Sequence, residues 1–268
     1  MKFNTLAVSL VLTVFFFCNI TTNAETPKSG VFHPGEYLKY EVSFWGITLG
    51  TIEMYQDSVG QYRGNPVVSL RSVMKSNPSI PFLFLDAKFY SKMDTSFDFT
   101  HKFKADVHFG SDYTYQDISF DYTNNNLKYR SWENKKLMDS LEIVNNKTWN
   151  DGTSLYYFAR NNIENEKVNR AATMVSKDTA STLFDFNLKR EAVEIDAFDY
   201  PLSSIYFKGQ ALWDGVYGMN GDFEGWFSED ESHIPLLSYM KVYVGSVKIE
   251  LVEWNRSGWN PSPYITKE

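Results

Sequence analysis

One stretch constrains the fold more than any other. From Phe97 to Phe109 the odd positions read Phe97, Phe99, His101, Phe103, Ala105, Val107 and Phe109, while Asp98, Thr100, Lys102, Lys104, Asp106 and His108 lie between them. Successive side chains of a strand point to opposite faces, so a two-residue period gives one oily face and one wet face. A helix cannot use this pattern, because its apolar positions must recur every three or four residues.

The same period runs through most of the chain after residue 35. Leu38, Tyr40, Val42 and Phe44 alternate with Tyr37, Lys39, Glu41 and Ser43, and Thr48, Gly50, Ile52 and Met54 continue beyond Trp45-Gly46. This predicts a half-buried strand, a kink near Trp45-Gly46 and a second strand. Gly50 inside that strand marks a bulge or a close backbone approach. Val67–Met74 reads as a third strand, ended by Asn77-Pro78-Ser79-Ile80-Pro81. Tyr113–Tyr122 and Leu127–Trp132 form a hairpin around Asn124-Asn125-Asn126. Further strands are predicted near Met174 and over Leu183–Leu188, Ala192–Ala197, Ile205–Trp213 and Phe223–Phe227. The last segment changes phase at Gly245, with Val242 and Val244 before it and Val247, Ile249 and Leu251 after it, which predicts a bulge or tight bend in a long ribbon. The tail from Trp254 to Glu268 reads as irregular.

Asp151–Arg160 breaks the pattern. Asn150 or Asp151 can cap a helix there, and Leu155, Phe158 and Ala159 fall at helical spacing. About ten strands and one short helix predict a mainly β, antiparallel fold: a strongly curved sheet or an open barrel, because a long sheet must curl or pack on itself to protect its edges. Aromatics make up 17% of the chain, with 17 Tyr and 21 Phe, and flat rings suit a pleated surface.

Residues 1–24 address the chain. Lys2 gives a positive start, Leu6–Phe17 is apolar except for Ser9 and Thr13, and Thr22-Asn23-Ala24 offers a cleavage site after Ala24. The apolar run is short for a bilayer span, which takes about 20 residues. The expectation is an exported protein, periplasmic first and outer-membrane-associated or secreted second. It would have one β-rich domain over residues 25–268 and no transmembrane span after signal removal. The single cysteine, Cys18, lies inside the signal, so the domain holds together through its core rather than disulfides. A net charge of −7 argues against nucleic acid and against electrostatic docking on anionic lipid.

Three blocks carry a resemblance. The first is Phe32-x-Pro34-Gly35-Glu36-x-Leu38-x-Tyr40 followed by Trp45-Gly46 and Gly50. The second is Trp149-x-Asp151-Gly152-x-Ser154-Leu155-x-Tyr157-Phe158-x-Arg160. The third is Trp226-Phe227-Ser228-x-Asp230, then Ile234-Pro235, Gly245 and Leu251. In this order they resemble the exported bacterial family known as domain of unknown function 3108, over nearly all of residues 25–268. The resemblance implies an envelope protein with an open-barrel antiparallel fold, and it carries over no catalytic residue. The central block departs from the family's more frequent Gln-Asp, having Asn150-Asp151-Gly152-Thr153. The first block also reads physically: Pro34-Gly35 sets a turn, Glu36 ties it down, and Leu38 and Tyr40 enter the core.

Catalytic and metal motifs are weak. The chain has no G-x-S-x-G elbow and no glycine-rich phosphate loop. His101 and His108 are an odd number of residues apart, so a continuous strand sends them to opposite faces, and His101 reads as a core residue. His33 and His233 each flank a proline-bearing turn and could meet in space. Glu229-Asp230-Glu231 reads as a solvated turn, with a hard-cation site as the functional alternative. No cofactor, catalytic or metal residue is assigned.

The leading functional reading is a non-catalytic envelope protein that shelters an apolar or lipid-like ligand in the curved sheet. Tyr40, Trp45, Trp132, Trp149 and Trp226 are its candidate ligand-binding residues, and Trp259 and Trp132 are the tryptophans expected to be exposed. A glycan ligand is also compatible with exposed aromatics. The alternative is a structural or partner-binding component of envelope or surface-polysaccharide assembly that uses a sheet edge. A second alternative is a glycan-acting enzyme with paired carboxylates.

Overall fold

The structure, a computed structural model, describes residues 30–214, 221–242 and 245–265. The expected signal peptide and Val244 lie outside the described residues. The first half of the chain forms β1 (Glu36–Phe44), β2 (Ile47–Tyr62), β3 (Asn65–Ser76), β4 (Leu85–Asp94), β5 (Thr100–Phe109), β6 (Asp112–Asp121), β7 (Asn126–Glu133) and β8 (Lys136–Val144). Helix α1 (Gly152–Asn162) follows. The second half forms β9 (Arg170–Val175), β10 (Asp178–Asp185), β11 (Arg190–Val193), β12 (Leu202–Ala211), β13 (Gly221–Ser228), β14 (Pro235–Lys241) and β15 (Ser246–Asn255).

All fifteen strands belong to one antiparallel sheet, ordered β8-β7-β6-β5-β4-β3-β2-β1-β15-β14-β13-β12-β10-β9, with β11 sharing an edge of β12 with β10. The first and last strands therefore meet mid-sheet, Tyr37 opposite Asn255 and Val42 opposite Ile249. The chain meanders outward from β1 to one end at β8, crosses through α1 to the other end at β9, and meanders back to β15. That crossover places the helix inside the curl.

Local chemistry explains the tight hairpins. Trp45 (φ 50°) and Gly46 (φ 77°) form the β1–β2 tip, and Arg63 (φ 50°) and Gly64 (φ 82°) the β2–β3 tip. Two consecutive left-handed residues match the right-handed twist of the strands they join. Asn134 and Lys135 do the same between β7 and β8. At Gly50 both sequence readings hold. The register slips beside it, between Val42 and Ser43, and a Cβ there would sit 2.2 Å from the carbonyl oxygen of Lys75.

The inner face of the curl is the core. Leu38, Tyr40, Met54, Val68, Leu70, Met93, Phe207, Phe227 and Leu251 point inward, and Leu155, Tyr157, Phe158, Ala159 and Ile163 of α1 pack against them. Burying a side chain such as Leu38 stabilises by about 1.5–3 kcal/mol. A second cluster, Phe103, Ala105, Ile118, Phe120, Leu127, Tyr129, Trp149 and Met174, fills the β5–β7 end.

Several expectations are corrected. Among the described residues there are fifteen strands rather than about ten. β5 begins at Thr100, while Phe97 sits in the β4–β5 turn at φ 60°, buried with its ring against Tyr157. Phe109, at the far end of the oily face, is exposed. β10 ends at Asp185 and β11 at Val193, short of the expected limits. The phase change at Gly245 is a chain reversal between β14 and β15, not a bulge in one ribbon. The tail is irregular, yet Trp259 is half-buried, packed edge-on against Trp254 and bonded through Nε1 to Asp230 Oδ2 at 3.0 Å. The exposed tryptophan is Trp45, at 79%.

Candidate functional site

The helix is fastened at both ends by buried polar groups. At its start Asp151 accepts the backbone N–H groups of Thr153 and Ser154 at 2.8 and 2.9 Å, and Ser154 Oγ accepts the Asp151 N–H at 2.8 Å. This capping box satisfies donors that a helix start leaves free. The other carboxylate oxygen accepts Ser91 Oγ of β4 at 2.6 Å and Thr100 Oγ1 of β5 at 2.7 Å. Burial pushes the Asp151 carboxyl up, against the pull of those donors.

Near its end α1 supplies Arg160, fully buried, whose guanidinium bonds bidentately to Glu36 of β1 at 2.6 and 3.0 Å. Arg160 also donates to the Ser232 carbonyl, and Arg256 of the tail pairs with Glu36 from the other side. Burial alone would raise the Glu36 carboxyl. Arg160 and Arg256 outweigh it and hold the group below the usual glutamate value. His33 and His233 flank this pair and are not brought into contact with each other. His233 Nδ1 meets the Arg160 carbonyl at 2.9 Å, and burial depresses both imidazoles. The Tyr157 ring lies under the Arg160 guanidinium, and its buried hydroxyl has no hydrogen-bond partner among the described residues.

These groups hold the helix rather than form a reactive cleft. Glu36, Asp151 and Glu250, the buried carboxylates among the described residues, have their oxygens taken up by structural donors, Glu250 by the Asp196 N–H and Lys248. Asp230 is likewise engaged, by the N–H and hydroxyl of Ser232 and by Trp259. His101 is buried beside Asp94 and against Tyr122, while His108 is exposed. Among the described residues no three His, Cys, Asp or Glu side chains cluster as metal ligands would.

The five candidate ligand residues are not brought together. Tyr40 is buried on the inner face, its hydroxyl 2.6 Å from that of Tyr156. Trp149 is buried in the second cluster, with Nε1 on Asn145 Oδ1 at 2.6 Å. Trp45 stands at the β1–β2 tip, stacked on Phe44. Trp132 lies on the outer face of β7 against Tyr115. Trp226 lies on the outer face of β13 between Tyr206 and Tyr239, held through Nε1 by Glu191 at 2.6 Å.

The two ends of the sheet differ. Along β9, Asn150 adds a short parallel bridge: its N–H donates to the Ala172 carbonyl and its carbonyl accepts the Met174 N–H. Trp149 meanwhile accepts the Thr100 N–H of β5. The chain leading into the helix thus ties the end strand β9 to β5. Nothing among the described residues pairs with the outer side of β8. Leu137, Met138, Leu141, Ile143 and Val144 of that strand are all exposed. Leu141 and Ile143 lie opposite the buried Tyr129 and Leu127, so the inner apolar face runs out to an uncovered edge. A bulge at Met138 disturbs the strand's start, and its second half is regular.

Neither β8 nor this contrast was legible in the sequence. β8 has apolar residues on both faces, so it lacks the alternation that reveals a strand. The Glu36–Arg160 pair links residues 124 positions apart. Its sequence signal was a charged residue at each of two core-facing positions: Glu36 in phase with Leu38, and Arg160 beside Ala159.

Comparison with known proteins places the architecture. No family model matches the chain, and no curated protein matches it. Among solved structures, a β-barrel-like protein of domain of unknown function 1849 from Brucella abortus aligns with 85% of this chain and all of its own, at a TM-score of 0.55 and 11% identity. A Bacteroides fragilis protein described as exported, with a YmcC-like fold, aligns over 84% of this chain and 99% of its own at a TM-score of 0.37 and 9% identity. A Parabacteroides distasonis protein described as a lipoprotein aligns over 83% and 95% at 0.32 and 10%. The last two likenesses are looser than a shared fold. The first shows that this chain has a β-barrel-like fold, here a curled antiparallel sheet that stays open at β8.

Proposed function

We propose that this chain is an exported, non-catalytic component of the bacterial cell envelope that works by pairing with a partner protein along β8, and that it belongs with the family it resembles, domain of unknown function 3108. The uncovered β8 edge carries this reading. A strand edge offers a ready row of backbone donors and acceptors, and an extended segment can add to it as a further strand. Leu141 and Ile143 call for a segment with apolar residues at alternate positions, which would continue the inner face. The apolar-ligand reading would need space on the concave side, and α1 with its packed side chains occupies that side. The leader-like residues 1–24 support export.

The test uses the direction of the β8 amides. Asn145 donates its N–H to Asn125 across the β7–β8 pair, so by alternation Ser140, Glu142 and Val144 turn theirs outward. Ser140→Pro removes one outward donor, and an edge strand tolerates proline there. A photoreactive amino acid at position 142 of the full-length chain, expressed in a Gram-negative host, is expected to crosslink a second polypeptide in the envelope. The recovered chain should begin at Glu25, and Ser140→Pro should abolish the product while leaving the melting temperature unchanged. No product, or a product unaffected by Ser140→Pro, would contradict the reading.

A further inference from the structure

The outer face holds a second feature that the edge does not explain. Across β10, β12, β13 and β14 the outer surface sinks into a groove of about 520 Å³, within the ~300–1,000 Å³ of small-molecule sites. Gly209 lines it, and a second inner-face glycine, Gly225, lies on the adjacent strand. A Cβ at Gly209 would strike the Leu183 carbonyl and the Phe223 ring, and one at Gly225 would strike the Phe207 ring and Ser238. With no side chains there, the neighbouring strands sit low over the core.

The groove's walls come from alternate residues whose neighbours face the core. Ile205 and Phe207 are buried, so Tyr206, Lys208 and Gln210 face outward. Lys208 lies opposite Glu224, Gln210 opposite Asp222, and Glu224 opposite Tyr239. Polar groups are held in place across the floor. Tyr206 Oη donates to Glu224 Oε2 at 2.7 Å, Lys208 Nζ pairs with Asp185 at 3.3 Å, and Gln210 Nε2 donates to Asp222 at 3.2 Å. Trp226 extends the aromatic row, its ring 5.4 Å from Tyr206 and 6.1 Å from Tyr239.

Charge and chemistry narrow the occupant. Asp185, Asp222 and Glu224 nearly balance Lys208 and Lys241, so the groove does not select a highly charged ligand. An acyl chain would desolvate those groups without bonding them. A ligand with hydroxyls around its rim and C–H faces above and below can use both the tyrosines and the paired donors and acceptors. We propose that this groove binds a neutral oligosaccharide, with Tyr206 and Tyr239 giving ring contacts, Trp226 backing both rings, and Lys208, Asp222 and Glu224 giving hydrogen bonds to its hydroxyls. The site lies on strands other than β8, so it stands or falls separately from the partner edge.

Isothermal calorimetry on the full chain tests this with maltohexaose, cellohexaose and chitohexaose as neutral probes, an alginate hexasaccharide as an anionic probe, and palmitate as an apolar one. At least one neutral hexasaccharide is expected to bind, and more tightly than alginate or palmitate. Tyr239→Ala should weaken it about threefold to tenfold. Lys208→Ala, a change at an exposed side chain that leaves packing alone, should also weaken it measurably, whereas Ser140→Pro should not. No binding by any neutral probe, tighter binding of alginate or palmitate, or saccharide binding unchanged in both Tyr239→Ala and Lys208→Ala would overturn the proposal.

Discussion

The β9 and β8 ends of the sheet solve the same physical problem differently. Each is a terminal strand with backbone groups facing away from the sheet. At β9 the chain itself covers them: Asn150 bridges Ala172 and Met174, and the helix that follows is tied to β4 and β5 by Asp151 and to β1 by Arg160. At β8 no backbone pairing of this kind is present among the described residues, and the turn after β9 reaches the strand through the exposed Lys177–Asp139 ion pair. An edge is usually blunted by charge, proline, bulges or cover. The first half of β8 has its bulge, Lys136 and Asp139, whereas the second half sets one charge, Glu142 paired with Lys128, among the exposed Leu141, Ile143 and Val144. Cover at β9 is thus local work done by the segment leading into one anchored helix, not a property of the sheet.

The largest predicted effect comes from breaking the helix anchor. Glu36→Gln leaves Arg160 buried with its anion removed, and breaking a buried ion pair in this way costs about 3–5 kcal/mol. Urea unfolding followed by tryptophan fluorescence measures it. The pH dependence has a definite sign. The folded-state pKa of Glu36 lies below its usual value of 4.5, so the unfolded chain binds the proton more readily. The stabilisation is fully present above about pH 4.5 and is lost as the pH falls through the lower folded value. In Glu36→Gln that acid-side contribution should disappear from the stability profile.

A smaller effect is expected at the other anchor. Asp151→Ala removes the helix cap, worth about 0.5–2 kcal/mol, and leaves Ser91 and Thr100 short of an acceptor. Because β9 is covered through the adjacent Asn150, proteolysis should become easier at the β9 end and stay unchanged at β8. Equal sensitivity at both ends would show that Asn150 does not protect β9. The smallest effect is that of Ser140→Pro on stability, expected within about 0.5 kcal/mol as for other exposed sites, whatever it does to partner binding.

The legible and illegible parts of the molecule follow the same physics. Strands such as β1 and β5, half-buried on a wet sheet, announce themselves through alternation. The helix was visible because Asp151 and Leu155, Phe158 and Ala159 combine a cap with helical spacing. β4 escaped because its inward positions include Ala87 and Ser91, which blur the oily face. β8 escaped because both of its faces are exposed. The candidate residues are all aromatic, and sequence alone does not separate the inward Tyr40 and Trp149 from the outward Trp132 and Trp226. Strand parity separates them only once the register is known. The groove over Gly209 and Gly225 depends on strand pairing and left no local motif.

Amide hydrogen exchange of the full chain, resolved by residue, tests the central contrast most directly. Met174, whose N–H meets the Asn150 carbonyl, is expected to exchange with the slow amides of α1 and β1, while the outward amides of Ser140, Glu142 and Val144 exchange at rates near those of an open peptide. Fast exchange at Met174 together with protected outward amides in β8 would reverse the two ends and contradict that contrast.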